Sequence, residues 1–143
     1  MNPKTEAALA RFARSRNGQP FQWGLCDCNT IALEALDLLM GTQIAFEVFG
    51  QYSTPSEANV FYSTYRRSWI GIDGMGTEIK PPFASSGDFL VASDGPFHVP
   101  HVVIGPHALT CAPETGVFLC RVHHVIQAHP DLRCFRLTMP EGA

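Results

Sequence analysis

The hydrophobic pattern changes period once along these 143 residues, and that change restricts the fold more than any other feature. In the first half, apolar residues recur three and four positions apart, the spacing of helices with one buried face. After Pro82 they come in short runs rich in β-formers, cut by Gly, Pro and Asp. Helices first and antiparallel strands afterwards predict an α+β domain. The length fits one unit over residues 1–143 with one core.

The helical half divides at its breakers. Asn2-Pro3 predicts a helix start, Ala7, Ala8, Leu9 and Phe12 an apolar stripe, and Asn17-Gly18-Gln19-Pro20 its end. Ile31, Ala32, Ala35, Leu36 and Leu39 predict a second helix from Cys28 to Met40, with Gly41 as its C-cap. Thr54-Pro55-Ser56-Glu57 has capping-box spacing and predicts a third, with Val60, Phe61 and Tyr65 turned inward. The Gly- and Pro-rich stretch from Gly71 to Pro82 reads as loop. Strands are predicted over Asp88 to Ala92, Pro100 to Gly105, Ala108 to Ala112, Val117 to Val122 and Arg133 to Thr138. A short helix from His123 to Ala128 interrupts the last two.

Several classes of function are excluded or disfavoured. With 45% hydrophobic and 16% charged residues, nothing points to disorder. A net charge of -3 without a basic run argues against nucleic acid as a direct ligand. No apolar run is long enough to cross a bilayer, and Met1 to Glu6 lacks the apolar core of a signal peptide. The expectation is synthesis in the cytosol, with any exit by another route. The five cysteines are an odd number in a chain with a sufficient core, which argues against a disulfide framework. Cys111, Cys120 and Cys134 lie in apolar strand-like surroundings, where Cys behaves as a small hydrophobe.

Two segments carry chemistry. In Phe21-Gln22-Trp23-Gly24-Leu25-Cys26-Asp27-Cys28-Asn29 a turn leads into the second helix, and Cys28 falls at its start. Unpaired N–H groups and the helix dipole there lower a thiol pKa and can hold an oxyanion. Cys28 is therefore a candidate nucleophile; the competing reading makes it a buried first-turn residue behind an Asp27 N-cap. Cys26 and Cys28 do not have the usual zinc spacing. The second segment is Phe97-His98-Val99-Pro100-His101-Val102-Val103-Ile104-Gly105, where His101 opens an apolar strand and is the candidate base. His98 reads as an exposed loop residue, and His123, His124 and His129 as surface residues. His98 and His101 do not share a face as they would on a helix, so no metal is expected, and no cofactor either.

Phe21-x-Trp23-Gly24, Asp27-Cys28, Gly87-Asp88 and His101-Val102-Val103-Ile104, in this order, resemble the NlpC-type cell-wall peptidases. That resemblance implies a papain-like fold, with N-terminal helices packed on a small antiparallel sheet or partial barrel. It also implies a Cys28–His101 dyad, with the third polar group of such sites near Thr110 and Cys111. The family's common Tyr before the Trp-Gly is Phe21 here, and its usual Ser after the nucleophile is Asn29. Over nearly the whole chain, adding Tyr52-Ser53-Thr54 and Phe135-Arg136-Leu137, the sequence is similar to a short family of tailed-phage proteins encoded among tail-tip genes. This implies a virion component assembled in the host cytoplasm beside other tail-tip proteins. Its role is either peptidoglycan stem-peptide cleavage during entry or that of an inert structural piece; a prophage-derived amidase is a further alternative.

Overall fold

A computed structural model describes residues 1–65, 75–95 and 97–138. Four helices come first: α1 (Pro3–Arg16), α2 (Cys28–Met40), α3 (Ile44–Val48) and α4 (Pro55–Thr64). There follow β1 (Gly76–Ile79), a 3-10 turn (Pro81–Phe83), β2 (Phe89–Asp94), β3 (Phe97–Ile104), β4 (His107–Ala112), β5 (Gly116–Arg121), α5 (Val122–Ala128) and β6 (Arg133–Leu137). The α+β expectation is met. The six strands form an open sheet in the order β1-β6-β2-β3-β4-β5, with every neighbouring pair antiparallel.

The helix ends follow from local chemistry. Asn2 caps α1 by accepting from Thr5 N at 2.8 Å, with Pro3 at the first position. Thr54 accepts from Glu57 N at 3.1 Å ahead of Pro55. Gly41 ends α2 in the left-handed conformation at φ 70°. Asp37 then accepts from Ile44 N, Ala45 N and the Thr42 hydroxyl, which starts α3, a helix too short to leave a periodic signal.

The sheet is covered on both faces. Against one lie α1 to α4, whose Leu9, Ile31, Leu36 and Ala58 pack with Phe89, Val91, Val102, Leu109, Val117 and Phe135. Against the other, α5 and the chain around Leu132 cover Leu90, Ala92, Val103, Ala108 and Cys134. Each large side chain buried here contributes roughly 1.5–3 kcal/mol.

Three local expectations are corrected. Val60 is 67% exposed, and Ala58 takes the inward position on α4 while Phe61 and Tyr65 are half-buried. Within the expected loop, Gly76–Ile79 is a strand paired with β6, where Glu78 forms a two-bond ion pair with Arg133 at 2.9 and 2.5 Å; residues 71–74 of that stretch lie outside the described residues. His98 is a half-buried strand residue paired with Ser93, because β3 starts three residues earlier than its apolar run.

The Gly87-Asp88 and Phe135-Arg136-Leu137 motifs meet in space. Arg136 donates to both Asp88 oxygens at 3.0 and 2.9 Å, and Ser85 N donates to the same buried carboxylate at 2.8 Å. These residues fasten the turn before β2 to β6, so both motifs have a structural use.

Candidate functional site

The segment around Cys28 is built on Asp27. A tight turn closes first, with Gln22 N donating to Cys26 O and Cys26 N to Gln22 O, both at 2.8 Å. Asp27 then caps α2: its Oδ1 accepts from Thr30 N at 2.9 Å, and Thr30 Oγ1 accepts from Asp27 N at 2.8 Å. The other oxygen, Oδ2, accepts from Gly24 N at 2.9 Å and from the Tyr52 hydroxyl at 2.6 Å. The Tyr52 and Tyr62 hydroxyls are 2.8 Å apart. Asp27, Tyr52 and Tyr62 thus form a chain of polar groups running from the core to the α4 side of Cys28. Burial and then the Asp27 charge push both phenols far above their ordinary pKa, so they remain hydroxyl donors.

Cys28 sits at the first position of α2, as the sequence predicts. The surroundings of the half-buried thiol act against the expected lowering of its pKa. Burial first, then the charge of Asp27 and the neighbouring Cys111 thiol, push Cys28 well above its ordinary value. The backbone N–H groups of Asn29 and Cys28 act in the opposite direction and are outweighed. The Asn29 side-chain amide lies 3.7 Å from the sulfur. A thiol held this way stays protonated near neutral pH and is a poor nucleophile.

The four sequence-predicted site residues separate two and two. In β3, Val102 pairs with Phe89 and packs toward α2, whereas His101 pairs with Leu90, which belongs to the α5 side. Successive strand side chains alternate between faces, so His101 points away from Cys28. Its ring lies 6.4 Å from that of His129, just beyond α5, and its Nδ1 lies 3.1 Å from Val99 O. His129, expected at the surface without a partner, is half-buried beside it. The same alternation divides β4. Thr110 shares the face of Ala108, and its hydroxyl donates to Pro100 O at 3.1 Å. Cys111 shares the face of Leu109, and its thiol reaches Cys26 O at 3.4 Å. Cys28 therefore has Cys111 as its strand neighbour, while His101 and Thr110 lie across the sheet. The register thus sets Cys28 and His101 on opposite faces of the sheet. The groups that shift the Cys28 thiol most are Asp27 and Cys111.

Tyr52 and Tyr62 were the members of this site that sequence reasoning did not assign to it. Tyr52 is legible only as the residue ahead of the Ser53-Thr54 cap; that its hydroxyl returns to Asp27, 25 positions earlier, is a tertiary fact. Phe21 packs edge-on against Trp23 at 4.9 Å, and Trp23 in turn approaches Phe97 at 6.2 Å. These aromatic rings fill the end of the core beside the turn. Among the described residues no cluster of His, Cys, Asp and Glu suits a metal ion.

His101 makes a testable contribution to acid stability. Burial holds its pKa down to about 4 from an ordinary 6.5, so below neutrality the unfolded chain binds this proton more readily than the folded one. Stability is then full above about pH 6.5 and falls as the pH drops toward 4, with no further loss from this group below that. Between pH 7 and 4.5 the expected loss from His101 is about 2–3 kcal/mol. Urea unfolding at the two pH values should show His101→Leu losing that much less stability than the wild type. Equal losses in the two proteins would place the acid sensitivity elsewhere.

Residues 2–130 match the domain family DUF6950, described as a domain of unknown function. No curated protein matches the chain.

Proposed function

The chain belongs to the DUF6950 domain family, and on that premise we propose that it is a catalytically silent domain of the NlpC type, serving as a structural piece of a tailed-phage tail tip. The support for the fold type and the setting is the ordered set Trp23-Gly24, Asp27-Cys28, Gly87-Asp88 and Phe135-Arg136-Leu137, together with a helix that starts at Cys28 and packs on an antiparallel sheet. The observation that carries the absence of catalysis is the strand alternation that turns His101 away from Cys28. Thiol-based hydrolysis needs a base within hydrogen-bond reach of the sulfur. Cys28 instead has a carboxyl group, a second thiol and an amide nearby, and none of these draws its proton off near neutral pH. The motifs of the resemblance retain structural uses without the dyad: Asp27 caps α2 and Asp88 anchors Arg136.

The test combines one reagent and one variant. Iodoacetamide at pH 7 should modify Cys28 in the folded protein more slowly than it modifies free cysteine, and the purified protein should release no peptides from peptidoglycan. Virions carrying Cys28→Ala should assemble and infect at wild-type levels. Rapid alkylation of Cys28, or virions that assemble normally but infect at least ten-fold less well, would restore a chemical role for the thiol and overturn the reading. Virions that never assemble would show that Cys28 is a structural residue of the piece, and the peptidoglycan assay would then decide whether it is silent.

A further inference from the structure

The core beside the start of α2 holds a pair of thiols from distant parts of the chain. Cys26 closes the turn before the helix, and Cys111 lies on β4, 85 residues later. The Cys111 thiol reaches the Cys26 carbonyl at 3.4 Å, and each thiol shifts the ionisation of the other. Both residues are 3% exposed, and all five cysteines are free.

We propose that Cys26 and Cys111 are an oxidation site at which a peroxide closes a disulfide between the turn and the sheet. The step balances with a peroxide as the two-electron oxidant. The Cys26 sulfur attacks one oxygen of hydrogen peroxide, the O–O bond breaks, and the sulfur becomes a sulfenic acid as one water leaves. The Cys111 sulfur then attacks the Cys26 sulfur, the S–O bond breaks, and the second water leaves with the Cys111 proton. Two thiols are oxidised, one peroxide is reduced to two waters, and the S–S bond is the product. Cys26 is the first to react because it sits in the turn, where a local opening involves a few residues, whereas Cys111 is paired with Val117 of β5 within the sheet. Burial raises both thiols above their ordinary pKa, so the reaction is slow and needs sustained oxidant.

The bond would close a long loop and restrict the unfolded chain, so it should raise the thermal midpoint by about 5–15 °C.

The experiment is a thiol count and a peptide map on the full-length protein, reduced and after hours in millimolar hydrogen peroxide. Cleavage before Asp27 and after Glu114 separates Cys26 from Cys28 and Cys111 from Cys120. The count in denaturant should fall from five to three, with one linked peptide pair containing Cys26 and Cys111, and the midpoint should rise. Cys111→Ala should lose the linked peptide and the rise, while Cys28→Ala should keep both. Five thiols remaining after treatment would overturn the proposal, as would a linked pair containing Cys28 or Cys120. If Cys111→Ala does not fold, the wild-type peptide map decides the question alone.

Discussion

Replacing Asp27 by Ala is expected to remove about 3–6 kcal/mol of stability, enough to unfold a domain of ordinary stability. One side chain accepts from Gly24 N, Thr30 N and the Tyr52 hydroxyl, and it is 1% exposed. Alanine leaves all three donors without that acceptor in a place water does not reach, at roughly 1–3 kcal/mol each. Loss of the helix cap is part of this sum. Asp27→Asn should be milder, because one carbonyl oxygen can still cap α2 while the amide nitrogen meets two donors. Chemical denaturation of the three proteins should give the order wild type, Asn, Ala. A loss below 1 kcal/mol for Asp27→Ala would mean that the turn relaxes to reach solvent.

A comparable effect is expected from Gly24→Ala, for a steric reason. Gly24 has φ 82°, and a Cβ built there would lie 1.9 Å from the Tyr52 carbonyl oxygen, a backbone atom that cannot swing aside. Gly24 O also accepts from Gly50 N at 3.1 Å, so the two segments cannot separate without losing that bond. The expected loss exceeds about 3 kcal/mol, combining overpacking with left-handed strain. Gly41→Ala is the control. Its φ is also positive, at 70°, but a Cβ there meets nothing within 4 Å, so about 1 kcal/mol is expected. Thermal unfolding of the two variants separates the close approach from the backbone conformation; equal losses would show that Gly24 matters only through its φ.

These two positions explain why the Trp-Gly and Asp-Cys motifs are readable as landmarks. Gly24 lets the turn approach Tyr52, and Asp27 ties the turn, α2 and Tyr52 together. Their residue types follow from local and near-local geometry, which a sequence pattern expresses. The structural uses of Asp88 and Arg136 are likewise tied to the β2 entrance and to β6. Val60 shows the opposite case: its spacing in α4 fits an inward stripe, but the helix turns Ala58 to the core, and periodicity over ten residues does not distinguish the two.

What the sequence determined by itself was the α+β order, the start of α2 at Cys28, its Gly41 end and the strand-rich second half, because capping, breakers and hydrophobic period are local properties. What only the tertiary structure decided was the face on which each strand residue lies. Both faces of this sheet are covered by helix, so His101-Val102-Val103-Ile104 reads as continuous burial and lacks the alternation that would mark one side. Pairing with Leu90 and Phe89 fixes the register, and a shift of one residue would exchange the faces. That register sends His101 and Thr110 toward α5 and Cys111 toward Cys28, separating a thiol and an imidazole that the linear sequence presents as partners.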